Sequence, residues 1–420
     1  MRILPDDFPS NQRRALPRVV ILNDSSVAKG GATGLAILSA KMLRARGHEV
    51  TFVSGDAGDD GTLAELGIQL VAMGGKLLLD DTRLNAMRNG VYNTRIRDRL
   101  ARDIKAHDTE DTIYHLHGWS RVLSPSVFDA LKPVAKRTFI HAHDFFLACP
   151  NGVYFDYRRK APCTRTPLSA GCLATNCDKR AFHHKVWRSM RHGALKRTFD
   201  TRLPWAGVMM LHAGMTEGLE RAGIPKSLLR VVRNPATPLS QTRIKAEQNQ
   251  RICYVGRLEV GKGVATLCAA AQAAGVGLRV IGDGTARAKL AEAYPDVEFT
   301  GWVDHADIAS RLRDVRALVM PSRFPEPFGL VAAEASLSGL PVIMSDLSLL
   351  AHDLTQKNLG FLADTSSSAA LADAIAKFNA LPDSDIRAIS ERGFARQDAL
   401  AQEPDAWIAE LVGHYENAIA

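Results

Sequence analysis

Two glutamates eight positions apart, Glu326 and Glu334, flank the turn into an apolar run in PSRFPEPFGLVAAEA (321–335). The pattern predicts a helix that opens near Gly329, with Glu326 ahead of it and Glu334 just over one turn inside. The first helical N–H groups, from Gly329, Leu330 and Val331, have no intrahelical acceptor and can meet an anion. A carboxylate at the mouth can accept hydrogen bonds from sugar hydroxyls. A carboxylate among Val, Ala and Leu is costly without a partner, and a ribose diol would serve Glu334. A surface helix position is the plainer reading of Glu334, but its small apolar neighbours argue against it.

Upstream, Gly256-Arg257-Leu258 and Lys262-Gly263 follow the apolar run 251–255. Two cations at a strand's end, ahead of a helix, fit a doubly charged phosphate group. Taken alone, they fit a solvated basic turn equally well. Gly282-Asp283-Gly284 is a third turn of this kind, and Lys29-Gly30-Gly31-Ala32-Thr33-Gly34 a fourth, both weaker as signals because such turns are common.

The elements that must position these turns alternate strand and helix. Runs at 18–22, 50–53, 68–73, 112–116, 137–141, 206–211 and 229–232 read as strands, with helices at 34–46 and 126–132. The rhythm restarts at 251–255, 278–281, 297–300, 317–320 and 341–344, with helices at 264–274, 285–293 and 330–338. Such alternation predicts an α/β protein with two facing Rossmann-like, doubly wound domains. The polar segment 234–250 is the expected linker. The expected units are 1–235, 250–403 and an amphipathic helix 404–420, carrying Trp407, Leu411 and Tyr415, that packs back on the first domain.

Length and composition agree. A chain of 420 residues suits two domains, and 46% hydrophobic with 23% charged residues excludes collagen-like and disordered classes. The N-terminal stretch has no signal-like apolar run, and no segment reaches the length of a membrane span. Six cysteines do not make a disulfide scaffold, and Cys253 and Cys268 read as core thiols. The expectation is a cytoplasmic protein with reduced thiols.

The ordered set of motifs resembles retaining glycosyltransferases of the GT-B fold, family four (glycosyl transferases group 1). YVGRLEVGKG, VIGDG and PSRFPEPFGLVAAEASLSGLPVIMSD, which holds the family's E-x7-E element, carry the likeness in the second half. RVVILND, the Gly30-Gly31 turn, ARGHEVTFVSG, YHLHG and FIHAHDFFLACPNG carry it in the first. The resemblance implies transfer of a hexose-type sugar from a nucleotide-diphosphate sugar with retention of configuration. It implies that Arg257 and Lys262 hold the diphosphate, Glu334 the ribose, and Glu326 the donor sugar. The backbones of Phe328, Gly329 and Leu330 would line sugar and phosphate. Gly30, Gly31 and Gly256 would close around the phosphates, with Asp283 and Gly284 near the base. His117 would lie beside the donor sugar, and His115 would turn to the other face of its strand. No metal is expected at the catalytic site, since no Asp-x-Asp motif is present. After Asp346 the sequence Leu347-Ser348-Leu349-Leu350 departs from the family's glycine-bearing sugar loop.

Between 149 and 202 the chain changes character. Cys149, Cys163, Cys172 and Cys177 lack zinc-ribbon spacing, so unligated thiols are the ordinary expectation and a structural metal on all four the alternative. Residues 158–202 hold twelve Lys/Arg and two acids, a net +10, where the whole chain carries +8. Phe182, Val186, Trp187 and Met190 interleave with these cations, as in segments that seek membrane surfaces, although an ordinary solvated helix face fits too. The partners this suggests are a nucleotide sugar, a glycan or lipid-linked acceptor for cell-surface polysaccharide or glycolipid synthesis, and peripheral contact with the inner face of a membrane. A small soluble acceptor such as a sugar phosphate is the alternative. A non-catalytic binding protein for nucleotide sugars or nucleic acid ranks below both, since no nucleic-acid module is visible.

Overall fold

The computed structural model describes residues 16–28, 30–59, 61–77, 80–396 and 398–420; Lys29, the stretch 1–15, Asp60 and the pair at 78–79 lie outside the described residues. The valine- and isoleucine-rich runs become strands buried on both faces, the condition for parallel sheets covered by helices. In chain order the first sheet takes β1 (Arg18–Asn23), β2 (Val50–Ser54), β3 (Gln69–Ala72), β4 (Thr112–Leu116) and β5 (Thr138–Ala142). A small hairpin, β6 (Phe155–Asp156) and β7 (Ala161–Pro162), precedes β8 (Gly207–Met210) and β9 (Leu229–Val231). The seven large-sheet strands run in the order 3-2-1-4-5-8-9, all parallel.

The second sheet takes β10 (Arg251–Val255), β11 (Leu278–Ile281), β12 (Glu298–Gly301), β13 (Val315–Met320), β14 (Val342–Ser345) and β15 (Gly360–Ala363). Its order is 12-11-10-13-14-15, again parallel. Each sheet reverses its winding beside its first strand, at β1/β4 and at β10/β13. Ligands of such folds sit at the carboxyl ends of the strands there, and all four glycine turns lie at such ends.

The chain crosses between the domains twice, and the crossings pair: Ala236 donates to the Gln402 carbonyl (3.1 Å) and Gln402 to the Asn234 carbonyl (3.1 Å). The returning helix Pro404–Ile419 then lies on the first domain. Its Trp407, Ile408, Leu411 and Tyr415 are buried with Val19, Ile21, Phe52 and Phe139.

Three details differ from the pattern reading. The first helix begins at Gly31, not Gly34, because Gly30 is extended and serves as its N-cap. The strand β15 and the helices Ser368–Asn379 and Asp383–Phe394 complete the second domain beyond the last strand read from sequence. The helix Thr94–His107 was also unread: it buries only Ile96, Leu100 and Ile104, and its charged remainder hides a one-residue-wide apolar stripe.

Candidate active site

On the second-domain side, the turns after β10, β11 and β13 interlock through their backbones. Gly263 has φ +73°, and a β-carbon there would lie 1.9 Å from the Pro321 carbonyl oxygen. Gly282, at φ +135°, faces the Gly256 carbonyl just as closely (2.0 Å). Glycine is required at both, and the closeness brings Lys262 from one turn to Glu326 from another.

Lys262 Nζ donates to Glu326 Oε1 at 2.5 Å, and the Ser322 hydroxyl donates to the other carboxylate oxygen. Burial pushes the Glu326 carboxyl up, but the Lys262 ammonium, Ser322 and Arg257 outweigh it and hold the group below its ordinary value. Lys262 also sits over the Phe324 ring, 5.4 Å from its centroid. Arg257 is half-exposed and bonds Glu259 at 2.8 Å. On this side of the cleft, Lys262 is thus paired with a part-buried carboxylate and Arg257 with a carboxylate nearer the solvent.

The helix Leu330–Leu337 starts at Gly329, which has φ +81°. Its first N–H groups have no intrahelical acceptor, and they open beside Glu326. Phe328 is buried just before the turn. Glu334 lies one turn in, and its carboxylate is 3.6 Å from Nε2 of His305, whose pKa is raised chiefly by its hydrogen bond to that carboxylate. His305 is a partner that the residue pattern did not reveal, because it comes from a separate helix, His305–Arg311. Asp283 is half-exposed, bonding the Gly284 N–H at 2.7 Å and Arg287 at 3.5 Å.

From the first domain, the Gly30-Gly31 turn comes directly onto this helix start. A methyl group on Gly31 would lie 3.4 Å from Cδ1 of Leu330. His117 lies just beyond β4, buried, with its N–H bonded to the Leu22 carbonyl. The expectation that His115 turns away from His117 is wrong: their rings are 4.1 Å apart. Side chains in a strand alternate with period two, so residues two apart share a face. His141 on β5 and His143 just beyond it join them by the same spacing, their rings 4.2 Å apart and parallel within 4°. Nearby, Asp144 is a carboxylate the motif reading passed over. Burial raises its pKa to about 6, against a bond from the Phe146 N–H and the nearby Arg191.

The insertion reaches across the cleft. Lys179 pairs with Glu259 (3.4 Å), and a methyl on Gly261 would lie 3.1 Å from the Tyr157 hydroxyl. Its surplus charge is less free than the count suggests. Lys185 and Arg191 are buried, Arg188 pairs with buried Asp178 (2.9 Å), and Arg165 pairs with Asp156 (3.4 Å). The four thiols are met by protein groups: Cys149 (3.0 Å) and Cys177 (3.6 Å) share Asn151, Cys172 pairs with Lys185 (3.3 Å) and Cys163 with Arg165 (3.6 Å). The alternative of one four-thiol metal centre is not supported. Among the described residues, the group whose ligand atoms approach within 4.8 Å of one another is His115, His117 and His141. The segment after Asp346 also serves another end: Asp353 bonds Arg233 and lies 3.6 Å from His212, tying the two domains together.

Two facing parallel α/β domains with a cation-bearing cleft between them define the GT-B class of protein. The sequence likeness lies in the second domain: residues 249–379 match the glycosyl transferases group 1 model. It is 27% identical over 260 residues to a glycogen synthase of Mycobacterium tuberculosis, an alignment covering 56% of this chain and 58% of that one. It is 31% identical over 244 residues to a GDP-mannose-dependent alpha-mannosyltransferase of the same species, covering 55% and 60%. The chain thus spans somewhat over half the length of these curated relatives. The fold is similar to that of HepE of Anabaena, solved in complex with UDP, with a TM-score of 0.62 and 17% identity over 95% of this chain and 100% of that one.

Proposed function

We propose that the protein is a glycosyltransferase that moves a hexose-type sugar from a nucleotide-diphosphate sugar to a glycan or lipid-linked acceptor, with retention of configuration. The observation that carries this is the meeting of Lys262, Glu326 and the Gly329 helix start at one point, with the Gly30-Gly31 turn against it. A diphosphate placed there replaces Glu326 as the anion beside Lys262, gains Arg257, and accepts the free N–H groups of the helix start. The backbones of Gly256, Phe328 and Leu330 line the same space. Glu326, freed from Lys262, accepts hydroxyl protons of the donor sugar, and His117 approaches that sugar from the first domain. Glu334 takes the ribose hydroxyls in exchange for His305, with Asp283 and Gly284 toward the base. On this reading the acceptor attacks from the face the diphosphate leaves, and the departing phosphate takes the acceptor's proton. Positive charge where the leaving group develops is the main catalytic contribution.

The lipid-linked reading of the acceptor draws on one surface. The helices Arg83–Val91 and Phe182–Thr198 are joined by a bond from the Trp187 indole to the Met87 carbonyl (3.0 Å). Leu84, Met87, Phe182, Val186 and Met190 stand exposed on these two helices. Apolar side chains among arginines and lysines suit a peripheral membrane contact. No helix among the described residues is long and apolar enough to cross a membrane.

The test is a panel of UDP- and GDP-sugars, read first by thermal shift and then by nucleotide release with lipid and glycan acceptors. A native-state ligand raises the melting temperature with concentration. If no nucleotide sugar shifts the transition and none is turned over, the reading fails. Co-sedimentation with anionic vesicles tests the surface, and M190E with F182E should abolish it.

A further inference from the structure

Four histidines on two neighbouring strands form one buried stack below the first-domain side of the cleft. Ring centroids lie 5.3 Å apart for His115 and His141, 5.0 Å for His117 and His141, and 5.2 Å for His117 and His143. We propose that His115, His117 and His141 bind a divalent transition-metal ion of the zinc class beneath the first-domain side of the cleft.

Three observations converge on this. First, ligand nitrogens of these three residues come within 4.8 Å of one another. His115 Nε2 and His141 Nδ1 are 3.2 Å apart. Two imidazoles on one tetrahedral zinc place their nitrogens about 3.3 Å apart, given zinc–nitrogen bonds of about 2.0–2.1 Å. Second, Nε2 of His117 is buried without a partner, and an unmet buried nitrogen is costly unless a further neighbour takes it. Third, the outer partner of a ligating histidine is already in place. The Tyr415 hydroxyl, on the C-terminal helix, lies 2.6 Å from His115 Nδ1, which directs Nε2 into the stack. A purely imidazole set favours zinc, nickel, cobalt or copper over magnesium or calcium. The ion would join β4, β5 and, through Tyr415, the helix Pro404–Ile419.

The experiment uses untagged full-length protein, stripped with a chelator and dialysed against Zn²⁺ or Co²⁺. The expected result is about one ion retained per chain, and a Co²⁺ spectrum with visible ligand-field bands but no thiolate charge-transfer band. H115Q and H141Q should lose the ion, Y415F should weaken its affinity about tenfold, and C172S with C177S should leave it unchanged. The proposal is overturned if no ion remains above the dialysate, if binding survives both histidine variants, or if it disappears with the cysteines. Should the histidine variants not fold by circular dichroism, the wild-type Co²⁺ spectrum decides between nitrogen and thiolate ligands.

Discussion

The two sides of the cleft use histidine in opposite ways. On the second domain, His305 is exposed and is drawn toward its charged form by Glu334. On the first domain, His192 is buried in the helix Phe182–Thr198, and burial, aided by Lys196, Arg191 and Lys185, depresses its pKa to about 3. The same contrast holds for the walls as a whole. The donor side is built of charged groups that pair with each other in the absence of a ligand. The opposite domain instead holds a set of imidazoles that burial keeps neutral. Charged pairs can be exchanged for a charged ligand at small net cost, whereas a buried neutral wall gives shape and rigidity.

The largest expected effect strikes the buried wall. Trp407→Ala removes a fully buried indole from the core shared by the C-terminal helix and the first sheet. The loss should be about 3–5 kcal/mol in urea unfolding. A loss below 1 kcal/mol would show that the helix is only loosely held and would weaken the contrast.

On the charged wall the effect should fall on turnover instead. Lys262→Ala and Glu326→Ala should each lower kcat by about 10²–10³-fold, the cost of removing one preorganised electrostatic group, with little change in melting temperature. Because the two are bonded directly, the double variant should lose less than the product of the single losses. Multiplicative losses would mean that the pair does not act as a unit, and normal turnover in either variant would sink the site assignment.

How far the sequence carried depends on the same contrast. The second-domain site was legible because charge and glycine are local signals. Arg257, Lys262 and Glu326 stand in short turns whose backbones force the glycines, and Glu334 in the helix that follows, so residue type and order bring them to one place. Both sheets were legible from their apolar runs. The helix Thr94–His107 was not, since three apolar positions among so many charges leave no contrast along the chain. His305 was not, because its partner lies on another element. The face of His115 was misread, since residues two apart on a strand share a face, and the part of His141 and His143 in the stack depends on the pairing of β4 with β5. The excess charge of 158–202 was countable from sequence, but which of its cations are free was not, since the burial of Lys185 and Arg191 and the ion pairs of Arg165 and Arg188 depend on the tertiary fold.

A smaller effect tests the neutral wall through pH. His192 has a folded pKa of about 3, so below its unfolded value of about 6.5 the unfolded chain takes up a proton that the folded protein refuses. Its contribution to stability is therefore present above pH 6.5 and is lost as pH falls toward 3, at no more than about 1.4 kcal/mol per unit. Urea unfolding of wild type and H192Q at pH 7.5 and 5.5 should show a shallower acid dependence in the variant. Equal slopes would mean that His192 is not held neutral.

The smallest effect has the opposite sign. His305 has a folded pKa above its unfolded value, so its ion pair with Glu334 stabilises the protein fully below about pH 6.5, and the contribution is lost as pH rises through the folded pKa. The pair is exposed on the histidine side, so solvent screening keeps its worth small. H305Q should therefore cost a little stability at pH 5.5 and none at pH 8.5. The same variant has a second, separable readout in nucleotide binding. If His305 and the ribose compete for Glu334, protonating His305 in the wild type opposes nucleotide binding, and affinity should fall from pH 8 to pH 6. H305Q should flatten that dependence, whereas E334Q should weaken nucleotide binding at every pH. A wild-type affinity that does not change with pH would show that ribose and His305 use Glu334 independently.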